Sequence, residues 1–460
     1  MMSINSANAP SLDLPARFMA LSIVALAVST VSAPWTLPLL QGSFSSFSLL
    51  AFVHLNTLGF IGAMIMGASY QLVPVAIQVP LASVRVGRLS FWFYGSGLLL
   101  FLSGLAGSWL PLLAAGATLL GIAFALYIGV ILATWWRTPH RDVVSWHIAL
   151  AAVNAGAGMI FGVLLAFNKS NGMLGGHLLG MLAAHITIML GGWVMLTFFG
   201  VAYRLIGMFT LSEQHFLTPL AWAEFALVAA GSWMLALRFA LSLPAVLGQI
   251  AAAMLLAGVV CFAAQIVRLY RRRMRCAFDI HIPFALLAAA LAIATACLLV
   301  IGLIRGADAS SAVWVTVVWL ALFGVAGTAI QGFFYKIATF LVWLKRYAPR
   351  AGTEPVPRLD ELYNRRLAVV GWALWTAAVL AITVALLGGI NILGAVSLLL
   401  LAGAVCFIVN VVSIGRHWSN DRGQRHDDRA MRRPTTSGKL VLRPSTSPVM
   451  KFQSPRPSQP

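Results

Sequence analysis

Three histidines of this 460-residue chain fall in or at the edge of long apolar runs, where an imidazole needs a partner because polar side chains inside a bilayer are costly. They are His54 (FVHLNTLGFIG), His177 and His185 (LAAHITIMLGG). Imidazole is a common axial haem ligand and also suits copper. The plainer roles are a hydrogen bond to a carbonyl or the lining of a polar cavity. Gly59 and Gly62 follow His54 closely enough to leave room for a flat macrocycle, so the expected cofactor-binding set is His54, Gly59, Gly62 and His185. Within it, His54 and His185 are the expected metal ligands, with haem as the favoured cofactor over copper. His177 and His185, eight residues apart, diverge by about 80° on a helix, so one small ion does not take both.

A spacing of Gly, seven residues, Gly, two residues, Tyr recurs three times, at Gly59/Gly67/Tyr70, Gly192/Gly200/Tyr203 and Gly324/Gly332/Tyr335. The copies are 133 and 132 residues apart, which divides the chain into three related units. Glycines at this spacing let a neighbouring helix approach closely. The tyrosines end their apolar runs and are followed by Gln71, Arg204 and Lys336, which predicts interfacial anchors. Five residues before the first glycine stand His54, Thr187 and Trp319, and seven before stand Phe52, His185 and Val317. The two ligand candidates are therefore not equivalent positions of the repeat. His147 (SWHIAL) and His281 (DIHIPF) each open a unit and read as equivalent.

The elements that must position these residues are membrane helices. With 60% hydrophobic and 9% charged residues, most of the chain cannot face water. Apolar runs long enough to cross a bilayer repeat along it, and no alternating strand pattern appears. Twelve spans are predicted near 17–38, 48–74, 90–109, 111–135, 144–167, 178–205, 218–240, 244–269, 282–304, 312–344, 367–387 and 390–415. The fold class is thus all-α and polytopic, a membrane domain over 16–415 in three quasi-repeats of four (16–137, 143–273 and 281–415). Residues 1–15 precede it, and a tail over 416–460, rich in Arg, Ser and Pro, reads as disordered.

Arg85, Arg88, Arg137, Arg141, Arg204, Arg271 to Arg273, Arg275 and the stretch from Lys345 to Arg366 follow even-numbered spans, whereas odd connections carry only Lys169, Arg238 and Arg305. This bias predicts both termini on the cytoplasmic side. The net charge of +19 fits a basic segment at anionic lipid better than a nucleic-acid partner. Residues 18–33, ending in Val-Ser-Ala, resemble a signal peptide, but cleavage would leave eleven spans, so they read as span one. Cys261, Cys276, Cys297 and Cys406 have no metal-like or disulfide-framework spacing.

Twelve spans in three groups of four, with a His opening span two before a glycine-rich stretch, resemble subunit I of the haem-copper oxidases. The segments VHLNTLGFIGAMIMGASYQLVP and LFGVAGTAIQGFFYKIATFLVW look like divergent bacterial proteins nearer the cbb3-type oxidase and nitric oxide reductase side. The resemblance covers residues 15–415. It implies that His54 occupies the low-spin haem ligand position and that His185 resembles the copper-ligand His of span six. It further implies a bacterial inner membrane, a quinol or cytochrome c-type electron donor, and partner subunits. The family's adjacent His pair on span seven is missing from LAWAEFALVAAG, and its His-x-His on span ten is missing from VWVTVVWLALFG. A complete oxygen-reducing centre is therefore not expected. The resulting expectation is a haem-binding redox membrane protein, an oxidoreductase if it is an enzyme.

Two other classes stay open. A transporter or channel would use the intramembrane polar residues Asn154, Glu224, Gln265 and Gln331, although Glu224 lies only a turn or two inside span seven, where a carboxylate can snorkel. A haem- or copper-handling assembly subunit would share the ligands but hold its metal loosely. Phosphate loops, nucleophile elbows and metalloprotease helices are absent from the sequence.

Overall fold

A computed structural model of the protein describes residues 10–42, 46–139, 141–274, 279–308 and 311–419. Most of the expected N-terminal segment and nearly all of the basic tail lie outside the described residues, as do Arg275 and Cys276. The described chain is helical, and twelve helices are long and apolar enough to cross a membrane. They are α1 (Asp13–Gln41), α2 (Phe47–Ala76), α3 (Val84–Ala106), α4 (Leu110–Trp136), α5 (Val143–Asn171), α6 (Gly175–Thr210), α7 (Thr218–Ala240), α8 (Ala245–Arg271), α9 (His281–Ile304), α10 (Ala312–Arg346), α11 (Arg365–Gly388) and α12 (Leu393–His417). Each coincides with a predicted span. This is an all-α multi-pass membrane protein.

Local sequence sets the ends of these helices. Ser46, Ser83, Asp142, Ser311 and Asn364 accept hydrogen bonds from backbone N–H groups in the first turns of α2, α3, α5, α10 and α11. Gly172 and Gly389 close α5 and α11 at φ +64° and +63°, a left-handed conformation that a side chain disfavours.

Packing follows a recurrent plan. The second helix of each group of four touches the other three: α2 meets α1, α3 and α4; α6 meets α5, α7 and α8; α10 meets α9, α11 and α12. Contacts α4 to α5, α8 to α9 and α12 to α1 close the ring. Within their groups α2, α6 and α10 are therefore the inner helices, α2 and α10 buried along much of their length and α6 mainly over Leu196–Thr210, and the Gly and Tyr pattern lies on all three.

Each inner helix also carries an eight-residue π-helical segment: Leu55–Gly62, Ile188–Met195 and Leu320–Gly327. All three begin four residues before the first glycine of the pattern. Both the α2 and α6 segments touch that of α10, and Phe52 stacks on Phe323 with centroids 6.2 Å apart. Side-chain donors meet the π-segment carbonyls in every group. Tyr94 donates to Leu58 O (2.7 Å), Ser22 to Phe60 O (2.6 Å), Asn154 to Gly192 O (2.8 Å) and Trp375 to Phe323 O (3.2 Å). Such bonds matter where no water can replace them.

The tyrosines do not act as headgroup anchors. Tyr70, Tyr203 and Tyr335 are buried, and each hydroxyl bonds a side chain on another helix: Ser90 (2.7 Å), Glu224 (2.9 Å) and Asn410 (3.1 Å). Packing inside the ring removes them from the lipid boundary.

Candidate functional site

Imidazole chemistry sits at both ends of the inner helices. At the end away from the basic connections, His54 immediately precedes the π segment of α2, and His185 lies three residues before that of α6. Each Nδ1 is 2.8 Å from a backbone carbonyl, Leu50 for His54 and Gly158 for His185. A carbonyl only accepts, so Nδ1 carries the proton and Nε2 keeps its lone pair. In metal-binding histidines the same contact fixes the ring and makes the second nitrogen a better ligand.

His54 stands edge-on to Phe101, with centroids 5.1 Å apart. A Cβ on Gly162 of α5 would come within 2.9 Å of His185 Cε1, so this glycine makes room for the ring. Both histidines are half-buried. Along Leu178–Thr187 of α6 only Ala184 is buried, and along Ala312–Trp319 of α10 only Thr316 and Trp319. By contrast, the π segment of α10 is buried at every residue. Burial of the π segments falls from all eight residues in α10 to six in α2 and four in α6.

The glycines that follow His54 lie against neighbouring helices. A Cβ on Gly59 would meet Ala25 at 2.8 Å, and one on Gly62 would meet the Tyr94 hydroxyl at 2.8 Å and Trp193 at 3.3 Å. Side chains of α1, α3 and α6 thus pack against these two glycines. His177 is exposed in the turn before the main part of α6. Among the described residues no three His, Cys, Asp or Glu side chains gather as a metal site.

At the basic end, His147 of α5, Tyr203 of α6 and Glu224 of α7 form a buried cluster. His147 Nδ1 is 2.8 Å from Val143 O, Nε2 is 2.9 Å from Glu224 Oε2, and the Tyr203 hydroxyl donates to the same oxygen at 2.9 Å. His147 and Glu224 are fully inaccessible, which rules out snorkelling by this carboxylate. The three residues stand far apart in the sequence, with no local motif joining them. The available signal was the pattern itself. A Cβ on Gly200 would lie 2.7 Å from His147 Cβ, whereas one on Gly332 would meet Phe284 Cβ at 2.4 Å. His147 is thus the counterpart of Phe284 and not of His281.

His281 belongs instead to an ionic group with Asp279 and Lys336. The His281 Nδ1 lies 2.8 Å from Asp279 Oδ1, in contact but poorly aligned for a hydrogen bond, and the nearly buried Lys336 ammonium bonds Asp279 Oδ2. Burial alone would raise the Asp279 carboxyl. The His281 ring and the Lys336 charge outweigh it and hold the group well below the usual carboxylate range.

Comparison with protein-family models gives no match, and comparison with curated proteins gives none of significance.

Between α2, α4, α5, α6 and α10 lies a cavity of ≈ 120 Å³, whose lining mixes apolar side chains with polar and charged ones, among them Gln71, Tyr127, Arg204 and Glu213. Gln71 Oε1 is buried without a hydrogen-bond partner, as are both amide atoms of Gln265. Asn154 bonds Gly192 O and accepts from Trp233, and Gln331 donates to Gly327 O, so these two serve the π segments or their flanks.

Proposed function

We propose that this is a haem-binding redox protein of the membrane, in which His54 and His185 supply imidazole ligands. One observation carries the reading: the imidazoles just before the π segments of α2 and α6 both have Nδ1–H committed to a carbonyl, which leaves both Nε2 lone pairs for metal. The recurrent ring of helices with α2, α6 and α10 inside supports the likeness to subunit I of the haem-copper oxidases. Haem held there would supply one-electron chemistry. The protein's own part is to fix two ring orientations, through Leu50 and Gly158, and to keep room for His185 through Gly162. The bias of basic residues supports both termini on the cytoplasmic side, and the likeness implies a bacterial inner membrane. A quinol or c-type cytochrome is the donor that the likeness implies.

The test is an absorption spectrum of the detergent-purified protein from haem-replete cells, with a pyridine haemochrome assay. A Soret band in stoichiometric amount is expected, and its absence overturns the proposal. A transporter is the second reading, favoured by the cavity and the buried, unpartnered Gln71 Oε1. Solute flux into proteoliposomes that is lost in Gln71→Leu would support it.

A further inference from the structure

We propose that His147, Glu224 and Tyr203 form an intramembrane proton-binding site that takes up and releases a proton as one unit, with Glu224 Oε1 as its point of exchange. The molecule contains its own comparison. In the first group Gly67 packs against Phe18 Cβ (2.8 Å), and the Phe18 and Tyr70 rings are 5.7 Å apart; in the third, Gly332 packs against Phe284 and the Phe284 and Tyr335 rings are 6.3 Å apart. In the second group His147 takes that place, 5.8 Å from the Tyr203 ring. The tyrosine hydroxyl bonds Ser90 in the first group and Asn410 in the third, neither of which titrates, but Glu224 in the second. Phenylalanine with serine or asparagine therefore meets the needs of packing and hydrogen bonding. What the second group adds is two ionisable groups.

Their geometry sets the proton count. Because Val143 O only accepts, His147 Nδ1 is protonated. The 2.9 Å contact from Nε2 to Oε2 is then a hydrogen bond only if one more proton lies between those atoms, on either the imidazole or the carboxyl. In either place the pair is neutral. Releasing that proton to water leaves a neutral imidazole and a carboxylate stabilised by the Tyr203 hydroxyl; uptake reverses the step. Oε1 is buried and has no hydrogen-bond partner, so it is the carboxyl atom with its capacity to accept a bond unused. The groups facing the carboxylate are His147 from α5, Tyr203 from α6 and the Cys261 thiol from α8, within a wall made by Phe216, Phe225 and Phe262. This reading is independent of haem.

Infrared difference spectra of the full protein, recorded across the pH range in which it stays folded, test the proposal. Wild type is expected to show one pH-dependent change in carboxyl and imidazole bands that is lost in Glu224→Gln. Tyr203→Phe, which removes a hydrogen bond to the charged form, is expected to bind the proton about tenfold more tightly. The double variant His147→Phe with Glu224→Ser copies the first group and is expected to fold without the bands. A pH-independent wild-type spectrum, or one unchanged by Glu224→Gln, overturns the proposal. So does failure of the double variant to fold, which would show that the cluster is needed for structure.

Discussion

Gly200 of α6 and His147 of α5 touch so closely that a Cβ added to the glycine would lie 2.7 Å from the histidine Cβ. That Cβ is fixed to the α5 backbone and cannot swing away as a side-chain tip could. Gly200→Ala is therefore expected to push α5 from α6 and to destabilise the protein by about 1–3 kcal/mol. Thermal unfolding in detergent checks this, and a midpoint equal to wild type would show that the helices yield freely.

A second expectation concerns the π segments. Tyr94 donates to Leu58 O, which the Ala63 N–H also reaches, so Tyr94→Phe removes one of two bonds to that carbonyl. The expected loss is about 1 kcal/mol, since the carbonyl is not left bare. Chemical denaturation would measure it.

These contacts show how far the sequence could be read. The twelve helices were legible because each is a long apolar run, and the inner position of α2, α6 and α10 was hinted at by the Gly and Tyr spacing. The π segments were not, because a single extra residue per turn leaves no mark on an almost uniformly apolar stretch. Tyr70, Tyr203 and Tyr335 looked like anchors because Gln71, Arg204 and Lys336 follow them. Gln71 and Lys336 are in fact buried too, and Lys336 turns to Asp279. The His147 cluster joins residues from three helices 56 and 21 positions apart, a distance that no local pattern encodes.

The Asp279 group gives a pH dependence. Its folded-state affinity for protons is depressed, so its contribution to stability is complete above the unfolded carboxylate value of about 3.9 and is lost as pH falls through the lower folded value. Asp279→Asn leaves the nearly buried Lys336 without its carboxylate and is expected to cost about 3 kcal/mol at neutral pH. The gap from wild type should narrow only in strong acid. Unfolding midpoints compared across pH check the sign, and a gap that widens on acidification would contradict it.

If His185 binds haem, Gly162 guards its ring. Gly162→Ala would bring a methyl within 2.9 Å of Cε1 and is expected to lower haem content or shift the Soret band with little change in overall helicity. Absorption and circular dichroism on one preparation separate ring displacement from misfolding.

The most direct measurement is the haem-to-protein ratio of purified wild type, His54→Ala, His185→Ala and the exposed control His177→Ala, determined by pyridine haemochrome. The proposed ligation predicts haem in wild type and His177→Ala, and a severalfold loss or an altered spectrum in the other two. Wild type without haem, or full haem with an unchanged spectrum in both His54→Ala and His185→Ala, would contradict it.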